Sequence, residues 1–256
     1  MILVVTNDKR MQYIADWLSD FFAVKSFNEK ATDFNFSTVK YAILPFKINP
    51  GIMHDLVKQL PASCTIFTPI MRDFLVDVAQ NVEILMDYDE IAIYNSIPTA
   101  EGTLLAIMKN TEITVHSANI HVIGAGRCGE TLARMLHSIG ANVTVATRNP
   151  VLASRLFTAG ITVADTSVDT LSSADVIVNT VPALMLGRDQ LAFVKQDIYI
   201  ADIASAPGGV DFEAANTFGI KADLLPALPG IIAPKTAAFY LAQFIKQKIT
   251  HDGCTT

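Results

Sequence analysis

Charge is scarce in this chain. Charged residues make up 17% of 256 positions, and no basic block offsets a net charge of −6. A polyanion has to be met by clustered Lys and Arg, so nucleic acid and anionic membrane surfaces are poor expected partners. Long apolar runs are missing too. None reaches the roughly 18 to 20 residues of a membrane-spanning helix. The richest stretch, 224–234, is broken by three prolines and a glycine. The opening Met1-Ile2-Leu3-Val4-Val5-Thr6 has no basic residue ahead of its apolar run, so it reads as a first strand and not as a signal peptide. Cysteine is sparse: Cys64, Cys128 and Cys254 are an odd number without metal-ligand spacing. That predicts reduced thiols, a cytoplasmic protein and no metal site. The histidines at 54, 116, 121, 137 and 251 form no cluster along the chain.

What is present is apolar: 51% of the residues are hydrophobic. That balance suits an α/β fold, whose parallel strands are buried on both faces. Strand-like runs alternate with helical patterns throughout, the signature of βα units. Over the first part the pattern predicts strands at 2–6, 41–45, 65–68 and 82–86, with helices at 11–22 and 71–80. A helix beginning at Pro98 is expected next, with Ser96 as its N-cap, ending near Asn110. The second part predicts six strands, at 120–123, 142–146, 161–163, 175–180, 198–202 and 220–224, which suits a doubly wound Rossmann sheet. A last helix over 235–249 has Ala238, Leu241, Ala242 and Ile245 on one face and is expected to fold back onto the first domain. The expected organisation is a smaller N-terminal α/β domain at 1–96, a connecting helix at 97–112, a Rossmann domain at 113–232 and the returning helix at 233–256.

One loop carries chemistry. Gly124-Ala125-Gly126-Arg127-Cys128-Gly129 follows a predicted strand and opens a predicted helix, with a second strand at the distance a dinucleotide-binding unit requires. Gly124 permits the tight turn, Gly126 lets a pyrophosphate approach the backbone, and Gly129 lets helix and strand pack closely. The helix N-terminus then receives the phosphates. At the end of the second strand, NAD-specific domains place a carboxylate for the ribose 2′-hydroxyl. Here the chain reads Thr147-Arg148-Asn149. Arg148 can pair with a 2′-phosphate, a charge-assisted hydrogen bond of about 1.5–3 kcal/mol, so NADP is the expected cofactor. The carboxyl ends of later strands should line the nicotinamide side. Thr180, Val181, Pro182, Asp202, Ala204, Pro229 and Gly230 are the candidates there. Cys128, at a helix N-terminus, is expected to have a lowered pKa.

Several stretches together resemble the A-subunit family of dipicolinate synthase. They are 89–102 with Asn95-Ser96-Ile97-Pro98-Thr99 at its centre, the glycine loop, 204–212 with Ala204-Ser205-Ala206-Pro207-Gly208-Gly209, and 228–237 with Leu228-Pro229-Gly230 and Pro234-Lys235-Thr236. The first 85 residues resemble the family only in general layout and are shorter. The resemblance implies a D-2-hydroxyacid dehydrogenase-like arrangement and an NADP-linked oxidation of dihydrodipicolinate, or of its 4-hydroxytetrahydro precursor, to dipicolinate. It also implies a partner, the flavoprotein-like B subunit, and the mother cell of a sporulating bacterium as setting. A ring dicarboxylate in a chain of net negative charge needs local donors. Asn95, Ser96, Thr99, Ser205, Lys235 and the N-terminus of a helix begun at Pro98 are the candidates. Lys235, Glu101 and Ser205 are the catalytic candidates, Lys235 because a desolvated lysine can transfer a proton. A homodimer built around the connecting helix is expected. Two other readings stay open. The 229–236 pattern also resembles methylene-tetrahydrofolate dehydrogenases and 179–182 resembles shikimate dehydrogenases. A non-catalytic nucleotide-binding subunit is the third.

Overall fold

The structure is a computed structural model that describes residues 1–28, 34–79, 81–165 and 168–254, and the side chains of all of these except 168, 169 and 252–254. The side chain of Cys254 and the Gln80 end of the expected helix at 71–80 lie outside this set. The chain divides into two compact units, one made of Met1–Tyr94 with Ala233–Thr256, the other of Asn95–Ile232.

The first unit is built on a parallel sheet of β1 (Ile2–Val5), β2 (Val24–Phe27), β3 (Tyr41–Ile43), β4 (Thr65–Thr68) and β5 (Asn81–Ile84), in the order β2-β1-β3-β4-β5. All four residues of β1 are buried, as a central parallel strand requires. Alternate residues feed two cores. Ile2, Val4, Ile43 and Phe67 pack against the helices Lys9–Ser19 and Pro234–Cys254, and Leu3, Val5, Ala42 and Ile66 pack under the helix Pro50–Lys58 and Leu75. The C-terminal helix runs along Lys9–Ser19 through Leu241, Ala242 and Ile245. It is also pinned by a polar chain, in which Lys248 Nζ donates to Tyr88 Oη at 2.7 Å and Tyr88 donates to Glu83. Two elements go beyond the sequence expectation. β2 is an edge strand that buries only Phe27 of its four residues. The helix Pro50–Lys58 opens on Pro-Gly, which reads as a turn, yet Asn49 Oδ1 caps the amides of Gly51 and Ile52.

The second unit holds β6 (Asn119–Ile123), β7 (Asn142–Ala146), β8 (Thr162–Ala164), β9 (Val176–Asn179), β10 (Tyr199–Asp202) and β11 (Lys221–Leu224), all parallel in the order β11-β10-β9-β6-β7-β8. The strand order reverses between β6 and β9, where Ile123 faces Asn179 in register. One face packs Val122, Val145 and Val178 against Leu132, Leu136, Ala100 and Ile107. The other packs Ile123, Ile177 and Ile200 against Leu171, Leu191 and Ala214.

The helix expected to begin at Pro98 is a correction. It runs Asp89–Asn110, with Asp89 and Glu90 in its first turn and Pro98 inside it. Pro98 has no N–H to give the carbonyl of Tyr94. Packing outweighs that lost bond: Ile91 sits in a core of the first unit, and Ala100 and Ile107 in a core of the second. Thr99 and Thr103 back-bond to the carbonyls of Asn95 and Thr99, both at 2.8 Å. Ser96 is therefore a mid-helix residue and caps nothing, and no helix N-terminus lies at Pro98 to receive a substrate.

Candidate functional site

The glycine loop joins β6 to the helix Arg127–Ser138 at the switch point of the second sheet. Gly124 has φ +97°, and a Cβ there would lie 2.4 Å from Thr180 Oγ1. A Cβ on Gly129 would lie 2.1 Å from the carbonyl oxygen of Gly124, so only glycine lets this helix start so close to the loop. Gly126 differs: a Cβ there would meet nothing within 4 Å. It is the N-cap of the helix and supplies no side-chain cap, and the first helical bond from the loop is Glu130 N to Gly126 O. The amides ahead of Glu130 are thus left to an anion. Thr180 braces the arrangement, with its Oγ1 donating to the carbonyl of Ile123 at 2.9 Å.

A pocket of about 660 Å³ opens over this loop, lined by Gly124, Ala125, Gly126, Thr147, Arg148, Asn149 and Val181 among the expected residues. Arg148 is exposed and makes no hydrogen bond or ion pair among the described residues. Thr147 Oγ1 accepts from the Asn149 amide at 3.2 Å. Asn149 Oδ1 in turn caps the helix Pro150–Thr158 by accepting from Val151 and Leu152. Asn149 therefore serves the helix first, and Arg148 is the open donor. The pocket also contains residues that no sequence signal singled out: Leu152, Val163, Ala164, Met185 and, after β8, the carboxylate of Asp165. Strand adjacency is what brings β8 there, since it pairs with β7 at the sheet edge. The donor set and the unobstructed Gly126 fit a dinucleotide.

Asp202, expected at the cofactor, is fully buried and spends both oxygens internally. Its Oδ1 accepts from Asn179 Nδ2 at 2.9 Å and from the Ala204 amide at 3.0 Å, and its Oδ2 accepts from the Gly209 amide at 2.6 Å. Asn179 also donates to the carbonyl of Val181 and accepts from the Val181 amide. The loops after β9 and β10 are thus latched together below their exposed tips, Pro182 and Ser205. Gly208 and Gly209 allow the latch: a Cβ would lie 2.5 Å from Asp202 Oδ2 at the first and 2.4 Å from the Ala183 carbonyl at the second. In the sequence Asn179 opens the 179–182 pattern at the expected nicotinamide side but has no role of its own. Only the strand register, which sets Asn179 beside Asp202, shows the pairing.

Other candidates fall elsewhere. Ser96 is buried and its Oγ pairs with Thr131 Oγ1 at 2.7 Å, fixing its helix to the glycine-loop helix. Thr99 is buried with its hydroxyl turned to the backbone, and Asn95 is half-buried. Glu101 is exposed in mid-helix and is not a first-turn residue. Pro229 and Gly230 lie in a short helix, Leu228–Ile232, where an open loop was expected. Leu228 and Ile232 close against Gly102, whose Cβ would lie 2.9 Å from Ile232 Cγ1. Lys235 is the second residue of the helix Pro234–Cys254 and is exposed, so the expected desolvation is missing. Cys128 is corrected in direction: burial raises its thiol pKa, and the nearby Arg127 only partly opposes this. Among the described residues, no group of three or more His, Cys, Asp or Glu could hold a metal ion, and no helix is long and apolar enough to cross a membrane.

Comparison with known proteins agrees with this geometry. Residues 99–211 match the model for the D-isomer specific 2-hydroxyacid dehydrogenase, NAD binding domain. The A-subunit of dipicolinate synthase from Bacillus subtilis is 38% identical over 202 residues, which cover 77% of this chain and 68% of that protein. The crystal structure of the dipicolinate synthase A-subunit from Bacillus halodurans superposes with a TM-score of 0.87 at 32% identity, covering 96% of each chain. The apo-structure of D-lactate dehydrogenase from Escherichia coli shares the fold, with a TM-score of 0.68 at 16% identity over 100% of this chain and 98% of that one. With 38% identity over more than two thirds of each sequence, the chain belongs to the A-subunit family of dipicolinate synthase.

Proposed function

We propose that this chain is the NADP-linked subunit of a dipicolinate synthase, oxidising dihydrodipicolinate or its 4-hydroxytetrahydro precursor to dipicolinate in the mother cell of a sporulating bacterium. The observation that carries it is the pocket over the glycine loop, with Gly126 open to a pyrophosphate and Arg148 unpaired at its ribose end. Bound there, a nicotinamide supplies the hydride acceptor. The chain's residues hold and orient. The amides after Gly126 take phosphate, Arg148 takes the 2′-phosphate, and the Asn179–Asp202 latch fixes the backbone beneath Val181, Ala204 and Ser205. Dihydrodipicolinate loses a hydride and a proton, the 4-hydroxytetrahydro precursor loses water as well, and aromatisation drives the change. Ser205, Glu101 and Lys235, whose side chains are exposed, are the candidates to receive the proton or hold a carboxylate. A homodimer and a flavoprotein-like second subunit complete the reading. The lettered designation of the relatives supports the second subunit.

Two measurements test this. The chain is incubated with NADP⁺ and freshly generated lysine-pathway substrate, with and without the partner, and dipicolinate and NADPH are quantified. Stoichiometric formation of both is expected. Dipicolinate without NADPH would assign the redox step to the partner. Separately, Arg148→Ala should weaken NADPH binding roughly tenfold to hundredfold, the equivalent of a lost charge-assisted hydrogen bond, and leave NADH binding nearly unchanged. Asp165, in the same pocket, favours a second reading in which a carboxylate meets a ribose hydroxyl and the cofactor is NAD(H). Under that reading Asp165→Asn weakens NADH binding and Arg148→Ala changes neither.

A further inference from the structure

The first sheet has its own switch point. Between β1 and β3 the strand order reverses, and the following helices, Lys9–Ser19 and Pro50–Lys58, go to opposite faces. In open parallel sheets the crevice outside the carboxyl ends at such a point is where ligands bind. Here three loops are tied together. Asn7 Nδ2, after β1, donates to the carbonyl of Lys47, after β3. The guanidinium of Arg10 lies over the Phe46 ring, 3.5 Å from its centroid. Arg72, after β4, donates through Nη2 to the carbonyl of Phe46 at 2.8 Å.

The two arginines are costly as they stand. Arg10 is only 3% exposed, its guanidinium forms no hydrogen bond among the described residues, and its buried Nε has no partner. Arg72 Nε is likewise buried and unpartnered. Burial draws Arg10 down to about 10, and the charge of Asp8 only partly opposes it. Arg10 also sits in the first turn of its helix, the end where the dipole disfavours a cation. An apolar side chain of the same length would cover Phe46 without these costs, because a buried cation needs a partner to be tolerated. The guanidinium fork matches a carboxylate.

We propose that Arg10 and Arg72, which both contact Phe46 at the carboxyl edge of the first sheet, form an anion subsite within the first unit that takes a carboxylate of a ring dicarboxylate such as dipicolinate. This rests on the dipicolinate-synthase reading above for the identity of the anion.

The test titrates dipicolinate into the full chain by calorimetry, with NADPH titrated separately. Arg10→Met keeps the length and the cover over Phe46. It should lower dipicolinate affinity at least tenfold, leave NADPH affinity unchanged and not lower the melting temperature. Arg72→Gln, on a half-buried residue, should weaken dipicolinate several-fold without touching the first helix, and it carries the test if Arg10→Met does not fold. Unchanged dipicolinate affinity in both folded variants overturns the proposal. If the wild-type chain gives no heat with dipicolinate, the functional reading falls, and inorganic phosphate becomes the probe. Phosphate binding lost in Arg10→Met then supports an anion subsite, and no phosphate binding overturns it.

Discussion

Both sheets begin with the same construction, a buried strand, a short loop and a helix, yet the two helix ends are finished differently. In the first unit Asp8 caps the helix Lys9–Ser19, its Oδ1 accepting from the Met11 amide at 2.9 Å. In the second, Gly126 occupies the cap position of Arg127–Ser138 and gives nothing. The second end is therefore open to an anion through its backbone alone. The first is closed by a carboxylate, and any anion near it has to be met by side chains. Arginine stands at the first edge and glycine at the second for this reason. One parallel-sheet architecture thus provides two kinds of anion recognition, distinguished by a single cap residue.

The largest expected effect separates the units energetically. Asp202→Ala leaves the amides of Ala204 and Gly209 and the Asn179 side chain without their acceptor, costing on the order of 3 kcal/mol or more. Trp17, the sole tryptophan, lies in the first unit. In urea, backbone circular dichroism should then show a transition before Trp17 fluorescence changes. Coincident transitions at an unchanged midpoint would break the comparison. Next comes the transplant of the first unit's cap into the second. Gly126→Asp has room for its side chain and an ordinary negative φ, so the fold should hold. The new carboxylate would occupy the helix amides and repel phosphate, and NADPH binding should fall about a hundredfold or more, roughly 2.7 kcal/mol. Retained affinity would show that the open helix end is not the phosphate site. The reciprocal change is smaller: Asp8→Ala should cost about 1 kcal/mol of stability, seen as a lower urea midpoint for Trp17 with NADPH affinity intact. The smallest effect is in pH. His121, on β6, is buried with Nε2 unpaired, and burial lowers its pKa despite the opposing charge of Asp165. Its folded-state value lies below the unfolded one, so its contribution is present above about pH 6.5 and is lost as pH falls through the folded value. His121→Leu should flatten the decline in melting temperature between pH 7 and 5, and an unchanged slope would remove the assignment.

The second unit was the more legible in sequence because its signals are local. Six apolar strand runs and three glycines at fixed spacing place β6, the loop and the helix directly. The phosphate cradle takes its amides from one short stretch, and the Thr180 brace comes from farther along the chain. The first unit's signals are tertiary. Nothing along the chain singles out Arg10, and only its packing against Phe46 shows that it is buried. Pro98 misled for a related reason: proline at a helix start is a local preference, whereas the buried faces of Asp89–Asn110 are set by two separate cores. Asp202 was noticed as a strand-end carboxylate, but its burial depends on Asn179 of the neighbouring strand, which no spacing along the chain reveals.

The first unit also draws its last helix from the far end of the chain. Leu241, Ala242 and Ile245 complete the core that Ile2, Val4 and Ile14 begin, and Lys248 closes the polar chain to Tyr88 and Glu83. Residues 95–232 form an uninterrupted stretch that can fold as soon as it leaves the ribosome, since domains fold as units during synthesis. The opening strands must wait through the translation of the entire Rossmann segment before their missing helix arrives. The strands made before the Rossmann segment are therefore finished after it.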